Sequence, residues 1–562
     1  MATQFADKVQ MQHRLFAELS AMFGREVPLY DKSLLVNKVC NQTVCALLAQ
    51  IYAGFSLTEE QLDKTSGERH GAIRIGKPEE YRWVAGYFAA FALEPHNFYD
   101  MTNVGSKSQP IVATAFRSSF NPEHRVFCSL LMTDYFDPQI RERIETLLAS
   151  REVFSDRAKE LIRKNEKQNG LDEHDAEELI QEGVTRIFKW TGRAKDYQLY
   201  QDLCQVGFKI AADIACFEYH HLNHLTPNTF WMELFTGAMK FCLGEMDAAT
   251  HTARAQKALD RLAEFADRDY MKLHFKHLST EVIDSYGRGN IPAGLTRELA
   301  DQLTHRLQAA DLQLSKLKHA GYKDFTEGPP GDTPILLRQD AYKALTEQVI
   351  FQQPDGSTVT SVHTARFGEI EQRFYATTPA GRQLYDDCLA AAEAARAKHP
   401  NLAKQDYAAY QREYAQCFAA FPKKLSALLE QKLVYGRFTV TPKGLAAKAA
   451  KAIPTADVSE LLRLGYVHGD GLRYEDFLPV SAAGIFASNL GQYGTKSTAS
   501  VKPVYTRDML EKILGRKIIE ADDVYRGLQE ESIREVRAQL GLAGGVTAAE
   551  SHRPAQATVG AA

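Results

Sequence analysis

Arg69-His70-Gly71-Ala72-Ile73-Arg74-Ile75-Gly76-Lys77-Pro78 decides how the rest of the chain is read. The β-branched segment stops at Gly76-Lys77-Pro78, and Glu79 to Leu93 then carries the period of a helix started by proline. In an extended segment alternate side chains share a face, so His70, Ala72 and Arg74 point one way while Gly71, Ile73 and Ile75 point the other. An imidazole and a guanidinium then face one cavity. A guanidinium in that place suits a carboxylate gripped in a fork.

Outward from this segment the pattern stays mixed. Lys8 to Phe23 and Leu34 to Tyr52 have helical spacing and form an expected helical cap over residues 1–60. Phe98 to Met101, Ile111 to Phe116 and Val126 to Leu131 are aromatic and β-branched runs between Ser/Asn/Pro turns, which predicts further strands of a first strand-bearing module, 61–136. Residues 137–213 have helical period with abundant charge and form a helical bridge. Ile214 to Leu225 brings strand character back and opens a second strand-bearing module, 214–376, interrupted by a helical insertion over 232–318. Its later strands are expected at Ile335 to Leu337, Val349 to Phe351 and His363 to Phe374. Within 377–540, a helical region that also carries the C-terminal part of the pocket, residues 383–433 read as a surface helical pair. Residues 541–562, rich in Ala, Gly and Thr, are expected to be disordered.

Two further stretches offer metal ligands. In Glu218-Tyr219-His220-His221-Leu222-Asn223-His224 a helix would put His220 and His224 on one face, the start of a zinc-hydrolase reading. No Glu stands between them to act as base, and Thr226-Pro227 argues for strand and turn; in a strand His220, Leu222 and His224 share a face, and His224 is the favoured ligand. In Phe367-Gly368-Glu369-Ile370-Glu371-Gln372-Arg373 alternation puts Glu369 and Glu371 on one face, and spacing alone also fits a solvated strand with an ion pair. Two imidazoles and one carboxylate suit a non-haem Fe(II) centre, which leaves coordination positions open.

The whole chain sets limits on these readings. At 562 residues, 44% hydrophobic and 25% charged, it has the composition of a globular protein with material for a large core. A formal charge of -4 with interspersed signs gives no footprint for nucleic acid or anionic membranes. Met1-Ala2-Thr3-Gln4-Phe5-Ala6-Asp7 lacks the layout of a secretion signal, and no apolar run approaches the ~20 residues that span a bilayer. The eight cysteines contain no Cys-x-x-Cys pair and read as reduced core thiols. Cytoplasmic residence is expected.

Several segments together resemble the 2-oxoadipate dioxygenase/decarboxylase family, whose fold is similar to hydroxymandelate synthase and other vicinal-oxygen-chelate enzymes. They are Arg69–Arg74, Asn223–Pro227, Glu327–Pro330 with Pro334–Gln339, His363–Arg373 and Phe477–Phe486. The resemblance implies an α+β fold in which a vicinal-oxygen-chelate-like mixed sheet encloses the metal site beneath helical cap and insertions. It implies that His70, His224 and a glutamate hold Fe(II), that Arg74 binds a substrate carboxylate, and that Val480 and Ser481 line the pocket. In the hydroxyphenylpyruvate dioxygenase relatives the ligand carboxylate precedes a Gln-Arg pair by three positions, which falls on Glu369, with Glu371 second. The implied reaction is 2-oxoadipate and O2 to 2-hydroxyglutarate and CO2 in lysine catabolism, with catalysis resting on Arg74 and Ser481. A zinc or manganese hydrolase or isomerase on the same ligands, and a binding protein with a vestigial site, are the rival readings.

Overall fold

The computed structural model describes residues 5–104, 107–118, 123–323, 326–478 and 496–542. Val480 and Ser481 lie outside them, as does the expected disordered tail beyond residue 542. Two helices, α1 (Lys8–Glu26) and α2 (Pro28–Ile51), open the fold as the sequence predicts. By length and composition α2 could cross a bilayer. It is instead a core helix whose buried asparagines brace other parts of the chain: Asn37 donates to the Asn228 carbonyl at 2.9 Å and Asn41 to the Ser66 hydroxyl at 2.8 Å.

The central element is a mixed seven-stranded sheet. β1 (Glu68–Ile75) is followed by the helix α3 (Pro78–Ala89), then by β2 (Glu94–Asp100), β3 (Ile111–Arg117) and β4 (Arg125–Leu131). After the helical bridge, which ends in α4 (Lys209–Cys216), come β5 (His224–Pro227), the helical insertion, and β6 (Leu337–Ala341). A hairpin of β7 (Thr346–Gln352) and β8 (Thr358–Thr364) precedes β9 (Phe367–Arg373). Across the main sheet the order is β2-β3-β4-β1-β5-β9-β6.

Each half repeats one device: β1 pairs parallel with β4, and β5 pairs parallel with β9. The halves meet where β1 and β5 run antiparallel, with Ala72 opposite His224. The two faces of β1 divide as the alternation requires. Ile73 and Ile75 join the large apolar core with α1 to α3, whereas Ala72 joins a second cluster with Phe127 and Phe477. The architecture is α+β with a mixed sheet, as read from the sequence.

The structure corrects several expected elements. Ile214 to Leu225 is not a strand: its first residues end α4, residues 217–223 are irregular, and only His224–Pro227 is extended. The apolar run Ile210, Ala211, Ala212, Ile214 is buried throughout, and such a run reads alike in a buried helix and a buried strand. His363 to Phe374 is two strands broken at Arg366, whose guanidinium turns aside to Glu26 and Glu347. Ile335 to Leu337 pairs two residues later than expected, as β6, and the expected Phe98 strand begins at Glu94. Arg193–Lys195, inside the helical bridge, adds a short parallel strand to β7.

Residues 383–433 form more than a surface pair. Pro379–Lys398, the short Leu402–Gln405 and Tyr407–Cys417 are followed by a fourth helix, Leu425–Glu430. Tyr385, Phe418, Phe421 and Leu428 from this region build a separate apolar core with Phe374 and Tyr375. All eight cysteines are unpaired, five of them buried.

Candidate metal centre

Three neighbouring strands bring the candidate ligands together. β1 supplies His70, β5 supplies His224 and β9 supplies Glu369, and one donor atom from each lies within 4.8 Å of the others. Both histidine Nε2 atoms stand 3.5 Å from Glu369 Oε2. The imidazole planes are nearly perpendicular, with ring centroids 5.6 Å apart. Register explains the convergence, because Ala72 and Phe367 flank His224 on either side and Glu369 follows two residues after Phe367.

Several polar atoms of these ligands lack partners of their own. Nδ1 and Nε2 of His224 and Oε1 of Glu369 make no hydrogen bond, although both residues are at most 3% exposed. Buried polar atoms left in this state are costly unless something binds them. Two imidazoles and one carboxylate are the donor set for a divalent first-row metal with open positions, so the residues fit such an ion. Burial pushes His224 down to about 4 against the pull of Glu369, with His70, Arg74 and Lys323 adding to the downward shift. The ring is therefore neutral and able to coordinate at pH 7.

Glu371 does a different job. Arg373 grips it with Nε at 2.6 Å and Nη2 at 2.8 Å, and Arg125 Nη1 adds a contact at 3.3 Å. Burial opposes its ionisation, but Arg373, His70 and Arg125 hold the carboxyl well below its usual range. Its Oε2 lies 2.8 Å from His70 Nδ1, a short contact that is not aligned as a hydrogen bond. Glu371 thus backs His70 from behind, as carboxylates do for metal-bound imidazoles. Glu369 itself accepts from Thr226 Oγ1 at 3.2 Å and from Gln339 Nε2 at 3.3 Å, both on Oε2.

His220 is not near the centre. It turns away to Glu80, 3.0 Å from its Nε2, beside Arg151. Phe477 packs on the site, its ring edge-on to His70 at 4.9 Å. Arg373 fixes that segment by donating to the carbonyls of Asp476 at 2.6 Å and Tyr474 at 3.2 Å. Beyond Phe477 opens a cleft of about 360 Å³ lined by Tyr99, Thr377, Arg382, Asp476 and Tyr525 among others. Arg74, on the inner face of β1, is paired with Asp213 at 2.6 Å. The sequence singled out neither Asp213 nor Gln339; Gln339 stood within a quoted segment but gave no signal of its own.

Comparison with known proteins gives this geometry a family. The family model for 2-oxoadipate dioxygenase/decarboxylase matches residues 15–489. The chain belongs to this family. A 2-oxoadipate dioxygenase/decarboxylase from Pseudomonas putida is 33% identical over 557 residues, 96% of this chain and 99% of its own length. A protein of the same name from Escherichia coli is 31% identical over 540 residues, 94% of this chain and 98% of its own. A crystal structure of the hydroxyglutarate synthase in complex with 2-oxoadipate from Pseudomonas putida superposes with a TM-score of 0.63 at 31% identity, covering 96% of this chain and all of that one. Family membership therefore extends from the helical cap through the insertion and past Phe477.

Proposed function

We propose that the chain is an Fe(II)-dependent dioxygenase that converts 2-oxoadipate and O2 to 2-hydroxyglutarate and CO2. The observation that carries this is the convergence of His70, His224 and Glu369, with both His224 nitrogens and Glu369 Oε1 unsatisfied, in a chain that matches a 2-oxoadipate-bound relative over nearly its whole length. A divalent iron held there would supply open positions for a 2-oxo acid and the redox chemistry that O2 requires.

The residues around that position have separate tasks. Arg74 meets a substrate carboxylate with a planar fork that Lys could not reproduce. Glu371 and its two arginines keep His70 oriented. Phe477 and Phe127, whose rings are 5.4 Å apart, give the pocket an apolar wall that excludes water. The resemblance to the family assigns Val480 and Ser481, which lie outside the described residues, to substrate binding, where Ser481 would offer a hydroxyl to a carboxylate. The unpaired cysteines suit a reducing compartment, consistent with work in the cytoplasm on an intermediate of lysine breakdown.

Atom balance fixes a test. The keto carbon of 2-oxoadipate must become the new carboxyl carbon, taking one oxygen atom, and the adjoining methylene must become a carbinol, taking the other. The iron-loaded protein under ¹⁸O2 should release one unlabelled CO2 per 2-oxoadipate and yield 2-hydroxyglutarate carrying two labelled atoms. A hydrolase or isomerase on the same ligands would give an unlabelled product without O2.

A further inference from the structure

Arg74 does not stand alone beside the metal centre. Its Nη1 donates to Asp213 Oδ2 at 2.6 Å, between side chains 6% and 1% exposed. Asp213 belongs to α4, and its other oxygen, Oδ1, lies 3.0 Å from His363 Nε2 and 3.3 Å from His221 Nε2, charge contacts that are not aligned as hydrogen bonds. His363 comes from β8, and its Nδ1 meets the Tyr200 hydroxyl at 2.9 Å. The Trp190 ring packs against both histidines. A helix, a loop and a hairpin thus converge on one buried carboxylate that holds one edge of Arg74. Burial opposes its charge, but His221 and Arg74 keep the Asp213 carboxyl well below its usual range, so it is ionised.

A long guanidinium side chain loses rotamer entropy when it is ordered, which weakens any fork that must be ordered by its ligand. We propose that Asp213 is the positioning residue for Arg74: it holds one edge of the guanidinium in place before substrate arrives, with His363 and His221 packed beside Asp213 in turn. This rests on Arg74 binding a substrate carboxylate, as proposed above.

The chemistry of the replacements separates positioning from bulk stability. Asp213→Asn keeps an oxygen for Arg74 and offers an amide N–H to a histidine nitrogen in its acceptor tautomer. Asp213→Ala keeps neither, and Asp213→Glu keeps the charge but moves it by one methylene. The experiment measures kcat and KM for 2-oxoadipate, anaerobic binding of 2-oxoadipate by calorimetry, and metal affinity. It compares the iron-loaded wild type with these three variants, Arg74→Ala, and the double variant Arg74→Ala/Asp213→Ala.

Asp213→Ala should raise KM and the dissociation constant about tenfold or more, since small misplacements of a binding group cost that much. Metal affinity should be unchanged, Asp213→Asn should recover most of the loss, and Asp213→Glu should resemble Ala. The double variant should be no worse than Arg74→Ala, because nothing is left to position. Equal KM in wild type, Asp213→Ala and Asp213→Glu, or additive losses in the double variant, would overturn the proposal; if Asp213→Ala does not fold, Asp213→Glu decides. A wild-type KM in Arg74→Ala would overturn the carboxylate role of Arg74 and this proposal with it. A defect in Arg74→Ala with none at Asp213 overturns this proposal alone.

Discussion

Glu369 and Glu371 stand two residues apart on one face of β9, and their neighbours give them opposite roles. Glu371 is gripped by Arg373 and Arg125, whereas Glu369 meets Thr226, Gln339 and the two imidazoles. Alternation along the strand put both on the same face and could not choose between them; the count to Gln372-Arg373 chose Glu369, and the structure brings that residue to His70 and His224. What separates them physically is the grip of Arg373 on Glu371, joined by Arg125 from 246 residues earlier, a partner invisible to local pattern. Glu371→Gln should leave two buried guanidiniums undercompensated and cost about 3–5 kcal/mol, read as a lowered Tm, and weaken metal binding about 10–100-fold through His70. Glu369→Gln should abolish metal binding with a much smaller loss of Tm in the metal-free protein. A metal titration beside a thermal melt of each variant checks both.

At the scale of elements, the site depends on strands that approach closely. A Cβ on Gly368 would stand 2.7 Å from the Tyr342 hydroxyl, so the backbone between Phe367 and Glu369 can lie there only without a side chain. Gly368→Ala should cost about 1–3 kcal/mol by overpacking and shift Glu369, so that a lowered Tm and weakened metal affinity appear together in one variant. Strands with strong alternation, such as β1, were legible because one face is apolar core and the other carries His70 and Arg74. Ile214 to Asn223 was not legible as helix and loop, since burial on all sides of α4 erases the period that distinguishes a helix. The same irregular loop sends His220 to Glu80 while β5 alone turns His224 inward.

The whole molecule is tied to the site through charge. Glu475 receives Arg125 Nη2 at 2.6 Å from the first module and Lys276 Nζ at 2.6 Å from the helical insertion. The helical insertion read from the sequence within the second module therefore helps hold the segment that ends at Phe477. Long-range ion pairs of this kind leave no periodic trace in a sequence, which is why the mixed sheet was foreseen and this clasp was not. Burial opposes the charge on Glu475, but Lys276, Arg473, Arg125 and Arg373 bring it down from 4.5 to about 2. A depressed carboxyl stabilises the fold above its unfolded value and loses that contribution as pH falls through the folded one. The wild-type Tm should therefore drop as pH falls from about 4.5 toward 2, and Glu475→Gln should melt lower at pH 7 with a flatter acid limb.

The central claim is that these three strands build a centre for O2-dependent decarboxylation. Oxygen uptake by anaerobically iron-loaded protein on addition of 2-oxoadipate, with His70→Ala beside the wild type, tests it most directly. One O2 consumed per 2-oxoadipate, with no uptake in His70→Ala, is the predicted result. Metal retained at the site without O2 uptake on 2-oxoadipate would contradict it.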